Sequence, residues 1–165
     1  MTISGANIIN INRLSVITSI GGKLRIRNNV NLDDLVGLEN LITIGDRFHL
    51  EDNNSLVSLF GLENLTSIEG GFFISGNYAM INLSGLDNLT SIPHLSIAEN
   101  NSLTNLEGLE NLTSVGHLNI YNNVELSSLT GIENLTDLEW LSIGSNNALT
   151  SLTDLENLTS IVSHD

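Results

Sequence analysis

Gly61-Leu62-Glu63-Asn64-Leu65-Thr66-Ser67-Ile68, followed four residues later by Phe72-Phe73-Ile74-Ser75-Gly76-Asn77, is the stretch whose recurrence organises the whole chain. The leading residue of the first phrase falls at Gly37, Gly61, Gly85, Gly108, Gly131 and Asp154, at intervals of 24, 24, 23, 23 and 23 residues. A degenerate earlier copy starts at Arg13 with Leu14-Ser15-Val16-Ile17-Thr18-Ser19-Ile20. The second phrase has the form apolar-x-apolar-x-x-Asn. It appears as Leu24/Ile26/Asn29, Phe48/Leu50/Asn53, Phe72/Ile74/Asn77, Leu95/Ile97/Asn100, Leu118/Ile120/Asn123 and Leu141/Ile143/Asn146. Self-similarity at this period is the signature of stacked rungs, each too small to bury its own apolar face.

Alternation in the second phrase predicts a short strand with one buried side. Between strands the apolar residues fall three apart, as in Leu56/Leu59/Leu62/Leu65/Ile68. That spacing suits tight turns, and no window has the length a repeat helix requires. The expected fold is therefore a mainly β repeat solenoid, a right-handed coil stack with a continuous parallel sheet, an irregular opposite side and little or no α-helix. A single solenoid is expected over residues 1–165. It comprises a partial coil at 3–14, repeats near 13–36, 37–60, 61–84, 85–107, 108–130 and 131–153, and a truncated repeat at 154–165.

These phrases and their spacing resemble the leucine-rich repeats, in particular the receptor L-domain-like variety with bacterial-type repeats of 23 and 24 residues. The resemblance spans roughly residues 3–161. It implies short parallel strands on more than one side of each coil, and recognition of a partner through the strand surface.

Two asparagine columns have a structural reading. Asn29, Asn53, Asn77, Asn100, Asn123 and Asn146 follow each strand where the chain turns, and an inward carboxamide there satisfies backbone groups the turn leaves unpaired. Asn64, Asn88, Asn111, Asn134 and Asn157 each begin an Asn-Leu-Thr glycosylation acceptor pattern. Their repetition in register points to a second structural ladder and suits a bacterial setting.

Composition narrows the function classes. Lys plus Arg number 5 against 19 Asp plus Glu, a net charge of -14 that disfavours nucleic acid and anionic lipid. No segment has the run of apolar residues a membrane span needs, so no membrane insertion is expected. Cysteine is absent, which excludes disulfides and thiolate metal sites. A secreted or cell-surface setting is favoured, with the chain as a fragment lacking its export signal. Uncapped end rungs imply a longer array or self-association through the solenoid ends.

Residues flanking the buried strand positions point outward and define one face. Arg25, Arg27, Arg47, His49, Phe73, His94, His117, Tyr121 and Trp140 lie on it and are the candidate partner-binding residues. Arginine, tyrosine and tryptophan are the types enriched at binding hot spots. Four of the five basic residues fall on the first two rungs of this face. His94 and His117 share a column without an obvious third ligand, so no metal and no cofactor are expected. Neither a nucleophile motif nor a phosphate-cradling glycine loop is present, and the chain is read as no enzyme. The column Glu39, Glu63, Asp87, Glu110, Glu133 and Glu156 reads as a solvated face, with a calcium surface as the weaker reading. Thr66, Thr90, Thr113, Thr136 and Thr159 form an outward hydroxyl column. The leading functional reading is a non-enzymatic module binding a protein ligand, with ice or crystal-surface binding and carbohydrate binding as alternatives.

Overall fold

The computed structural model describes residues 1–161; Val162 to Asp165 of the truncated last repeat lie outside the described residues. The chain winds into a parallel β-solenoid of about seven coils, with no α-helix among the described residues. In chain order the strands are β1 (Thr2–Ile3), β2 (Ser19–Ile20), β3 (Leu24–Arg27), β4 (Thr43–Ile44), β5 (Phe48–Glu51), β6 (Ser67–Ile68), β7 (Phe72–Ser75), β8 (Ser91–Ala98), β9 (Ser114–Tyr121), β10 (Asp137–Gly144) and β11 (Ser160–Ile161). The main sheet runs β1-β3-β5-β7-β8-β9-β10-β11, all parallel, and a second sheet of β2-β4-β6 adjoins it.

Repeat length decides whether the two sheets stay separate. In the 24-residue repeats three residues separate Ile20 from Leu24, Ile44 from Phe48 and Ile68 from Phe72, and each coil carries two strands. In the 23-residue repeats only two separate Ile92 from Leu95, and the two strands fuse into the eight-residue β8. The same loss produces β9 and β10.

Strand register stacks the apolar positions as the alternation requires: Leu95 pairs with Leu118, and Leu118 with Leu141. Phe48 and Phe72 stack in the core with ring centroids 4.4 Å apart. The triplet leucines Leu56, Leu59, Leu62 and Leu65 are completely buried. Each third residue closes a tight turn, as when the Leu62 N–H donates to Leu59 O and the Leu65 N–H to Leu62 O. Three residues per turn returns every third side chain to the core, which is why the apolar spacing is three rather than the mixed three and four of a helix.

The phrase-initial glycines are held by the stack. Gly37, Gly61, Gly85, Gly108 and Gly131 all adopt φ between 107° and 118°, a region L-residues avoid. A Cβ at Gly108 would sit 2.1 Å from Leu83 O of the coil before. The two phrases that lack this glycine depart from the pattern: 3-10 turns at Asn12–Leu14 and Thr153–Leu155 contain Arg13 and Asp154.

The buried asparagines form one continuous ladder. From Asn53 onward each side-chain oxygen accepts the backbone N–H of the asparagine one coil earlier, with Asn77 N to Asn100 Oδ1 at 3.1 Å and Asn100 N to Asn123 Oδ1 at 3.0 Å. Each Nδ2 donates to a strand carbonyl of the coil before, as Asn100 does to Ile74 O at 3.1 Å. Asn29, Asn53, Asn77, Asn100 and Asn123 are fully buried, and Asn146 is 8% exposed.

Candidate functional site

Register places the outward residues of the main sheet in three columns. The first holds Lys23, Arg47, Gly71, His94, His117 and Trp140; the second Arg25, His49, Phe73, Ser96, Asn119 and Ser142; the third Arg27, Glu51, Ser75, Ala98, Tyr121 and Gly144. Arg27, Arg47, His117, Tyr121 and Trp140 are exposed, while Arg25, His49, Phe73 and His94 are partly buried. All nine candidate residues thus lie on the face the alternation predicts.

The structure joins five of these residues into one row that column order conceals. His49 stacks on Phe73 with centroids 4.9 Å apart and planes at 15°. Phe73 then leaves its own column and meets His94 at 4.9 Å, although the residue opposite it in register is Ser96. Gly71 makes this crossing feasible, since it has no side chain beside His94 and a Cβ there would come within 2.9 Å of His94 Cβ. His94 stacks on His117 at 5.6 Å, and His117 meets Trp140 at 6.1 Å. The Arg47 guanidinium carbon lies 5.9 Å from the centre of the Phe73 ring, a cation–π approach.

Two of the four contacts are near-parallel stacks, His49–Phe73 at 15° and His94–His117 at 10°, and two are tilted, Phe73–His94 at 40° and His117–Trp140 at 35°, so each interior ring has one face covered by a stacked neighbour and meets a tilted ring on its other side. Ring edges carry the positive end of the quadrupole, and histidine adds N–H donors. Tyr121 stands outside this row, its ring over Gly144 of the next coil. Sequence reading paired only His94 with His117; the missed signal was the glycine in the first column, a vacancy next to a large ring in the second.

Electrostatics differ along the row. Glu51 Oε1 lies 3.0 Å from His49 Nδ1, and Glu139 Oε2 lies 3.8 Å from His117 Nε2. Burial, then the neighbouring His117 and Arg47 charges, holds the His94 pKa below its ordinary 6.5. A histidine whose folded pKa is depressed is protonated first in the unfolded chain as pH falls, so its contribution to stability is present above about 6.5 and is lost on acidification toward the lowered folded value. Urea unfolding followed from about pH 7.5 to about pH 5 is expected to show a smaller acid-induced loss in His94→Gln than in the parent chain. Identical pH profiles would remove His94 as a contributor.

The other columns do structural work. Four carboxylates of the acidic column accept the N–H of the glycine two residues earlier: Glu39 from Gly37, Glu63 from Gly61, Glu110 from Gly108 and Glu133 from Gly131. The column read as a solvated face therefore also locks the glycine turns. In the outer asparagine column each Nδ2 donates to a carbonyl one coil earlier, with Asn64 to Glu39 O at 2.7 Å and Asn88 to Glu63 O at 2.6 Å. Three of the threonine hydroxyls behave likewise, Thr66 donating to Ile42 O at 3.1 Å, Thr113 to Thr90 O at 3.3 Å and Thr136 to Thr113 O at 3.3 Å.

Recesses lie outside the three outward columns, one along the first residues of β8, β9 and β10, lined by Ser91, Pro93, Ser114, Gly116, Asp137 and Glu139, another between the outer asparagine and threonine columns. Among the described residues no three histidine or carboxylate side chains gather as a metal cluster, and no helix is long and apolar enough to cross a membrane. Comparison with family models, curated proteins and solved structures returns no match.

Proposed function

We propose that the chain is a non-enzymatic binding module, of the receptor L-domain-like leucine-rich-repeat kind, that recognises a protein partner through its exposed parallel-sheet face. The observation that carries this reading is the row His49–Phe73–His94–His117–Trp140, which extends side-chain contact across five successive coils beside Arg47. Nothing in the core requires these side chains. Held by neighbours before any partner arrives, they lose little rotamer freedom on contact. Kinship with leucine-rich repeats is supported by the 23- and 24-residue periods, the buried asparagine ladder and the short parallel strands on an adjoining side.

Covered interior ring faces count against a carbohydrate platform, because a sugar's C–H face needs an open ring face to rest upon. The hydroxyls of Thr66, Thr113 and Thr136, turned back onto backbone carbonyls, count against ice binding, and ordinary ice growth is expected in concentrated protein.

Selection of binders from a displayed peptide library tests the reading. Phe73→Ala and Trp140→Ala are expected to weaken the selected binders about tenfold or more, while Trp140→Ala shifts stability by no more than about 0.5 kcal/mol. Binders that hold both variants as tightly as the parent would place recognition elsewhere.

A further inference from the structure

The sheet face carries a charge pattern that the ring row does not explain. Lys23, Arg25, Arg27 and Arg47 take four of the six outward positions of its first two full rungs, His49 and Glu51 the other two, in a chain with 19 acidic side chains against 5 lysines and arginines. With acids in such excess, a paired cation is the ordinary case. Yet among the described residues none of these four has a carboxylate at ion-pair distance, and the two ion-pair contacts both belong to histidines. Glu51 shows this most clearly. Backbone register sets it opposite Arg27, but its Oε1 turns to His49 Nδ1 at 3.0 Å.

We infer that this corner of the sheet docks a short cluster of carboxylates on an acidic segment of a partner protein, an inference that rests on the sheet-face reading above. Guanidinium forks match carboxylates two bonds at a time, and among the described residues the three arginines here have no carboxylate partner, Arg47 meeting only the Phe73 ring. Patch size selects the partner. Rungs about 4.8 Å apart and outward positions about 6.7 Å apart along a strand make a cationic row about 13 Å long on the first rung, with Arg47 beside one end and Glu51, turned to His49, beside the other, room for a few carboxylates. A long polyphosphate or sulfated glycan would overrun that patch onto the flanks of a molecule with net charge -14, where it is repelled. A short acidic cluster is not. From this corner the ring row leads on to Trp140, so the rest of the partner segment lies along ring edges that favour carbonyl oxygens.

The test uses a short peptide with a run of glutamates followed by leucine and tyrosine, its glutamine counterpart, and dextran sulfate. Binding is measured by calorimetry to the parent chain, to Arg25→Gln/Arg47→Gln and to Trp140→Ala. The glutamate peptide is expected to bind the parent about tenfold or more tightly than it binds the double arginine variant, and to exceed the glutamine peptide by a similar factor. Its affinity should fall as salt rises. Equal affinity of the glutamate peptide for parent and double variant, or no binding of it at all, overturns the inference. So does dextran sulfate binding more tightly through the same arginines. If the glutamine peptide binds as well and depends on Trp140 alone, the carboxylate inference fails while the wider sheet-face reading stands.

Discussion

Replacing Asn100 with leucine is expected to destabilise the solenoid by about 3–5 kcal/mol, because two buried backbone groups lose their partners at once and each costs about 1–3 kcal/mol. The Asn77 N–H would no longer reach an oxygen at 3.1 Å, and Ile74 O would lose its donor at 3.1 Å. Neither group has water as a substitute, since Asn100 is fully buried. Asn146 supplies the control. Its Oδ1 accepts from Asn123 N at 2.9 Å and its Nδ2 donates to Ile120 O at 2.9 Å, the same two bonds, but it retains 8% exposure at the last full rung. Water can enter there, so Asn146→Leu should cost clearly less. Urea unfolding of both variants measures the difference; equal losses would mean that the ladder's worth does not depend on burial. A repeat protein transmits such a loss through nearest-neighbour interfaces, so Asn100→Leu is also expected to broaden the transition by uncoupling coils on either side.

Gly108→Ala should be nearly as damaging, at about 3–4 kcal/mol, through backbone strain and overlap rather than lost hydrogen bonds. The residue sits at φ 107°, and an added Cβ would lie 2.1 Å from Leu83 O and 2.4 Å from Leu83 C. Both atoms are backbone, so no side chain can swing aside. Relief requires the coils to separate locally, which loosens the leucines packed between them. Gly21→Ala provides the comparison, since nothing lies within 4 Å of a Cβ at that position, and helix-free surface substitutions of this kind stay within about 0.5 kcal/mol. Thermal unfolding of the two variants decides the matter. If Gly108→Ala melts with Gly21→Ala, the close approach of successive turns is not what holds that glycine.

The repeat phrase carried most of the architecture, and its exceptions were as informative as its copies. Arg13 and Asp154 replace the phrase-initial glycine, and at both places the chain forms a 3-10 turn instead of the positive-φ turn. The one-residue difference between early and late repeats was visible as an interval of 24 or 23, but its effect was not: dropping one residue between Ile92 and Leu95 removes the break between two strands. Alternation assigned each outward residue to a face because side-chain direction in a strand has a period of two. It could not say which rings touch, since that depends on rotamers and on space left by neighbours. The acidic column shows the same limit. Spacing identified Glu63 and Glu110 as a regular outward series, whereas their bonds to Gly61 and Gly108 arise from the shape of the turn.

From residue order alone come the coil period, the buried leucine columns, the asparagine ladder and the membership of the outward sheet face, all consequences of local periodicity repeated at an interval of 23 or 24 residues. The diagonal step from Phe73 to His94 and the lack, among the described residues, of a carboxylate at ion-pair distance from Arg25, Arg27 or Arg47 emerged only when the coils were stacked. Those features belong to distances between residues more than twenty positions apart, where a missing side chain at Gly71 or a carboxylate turned toward His49 changes what its neighbours can reach.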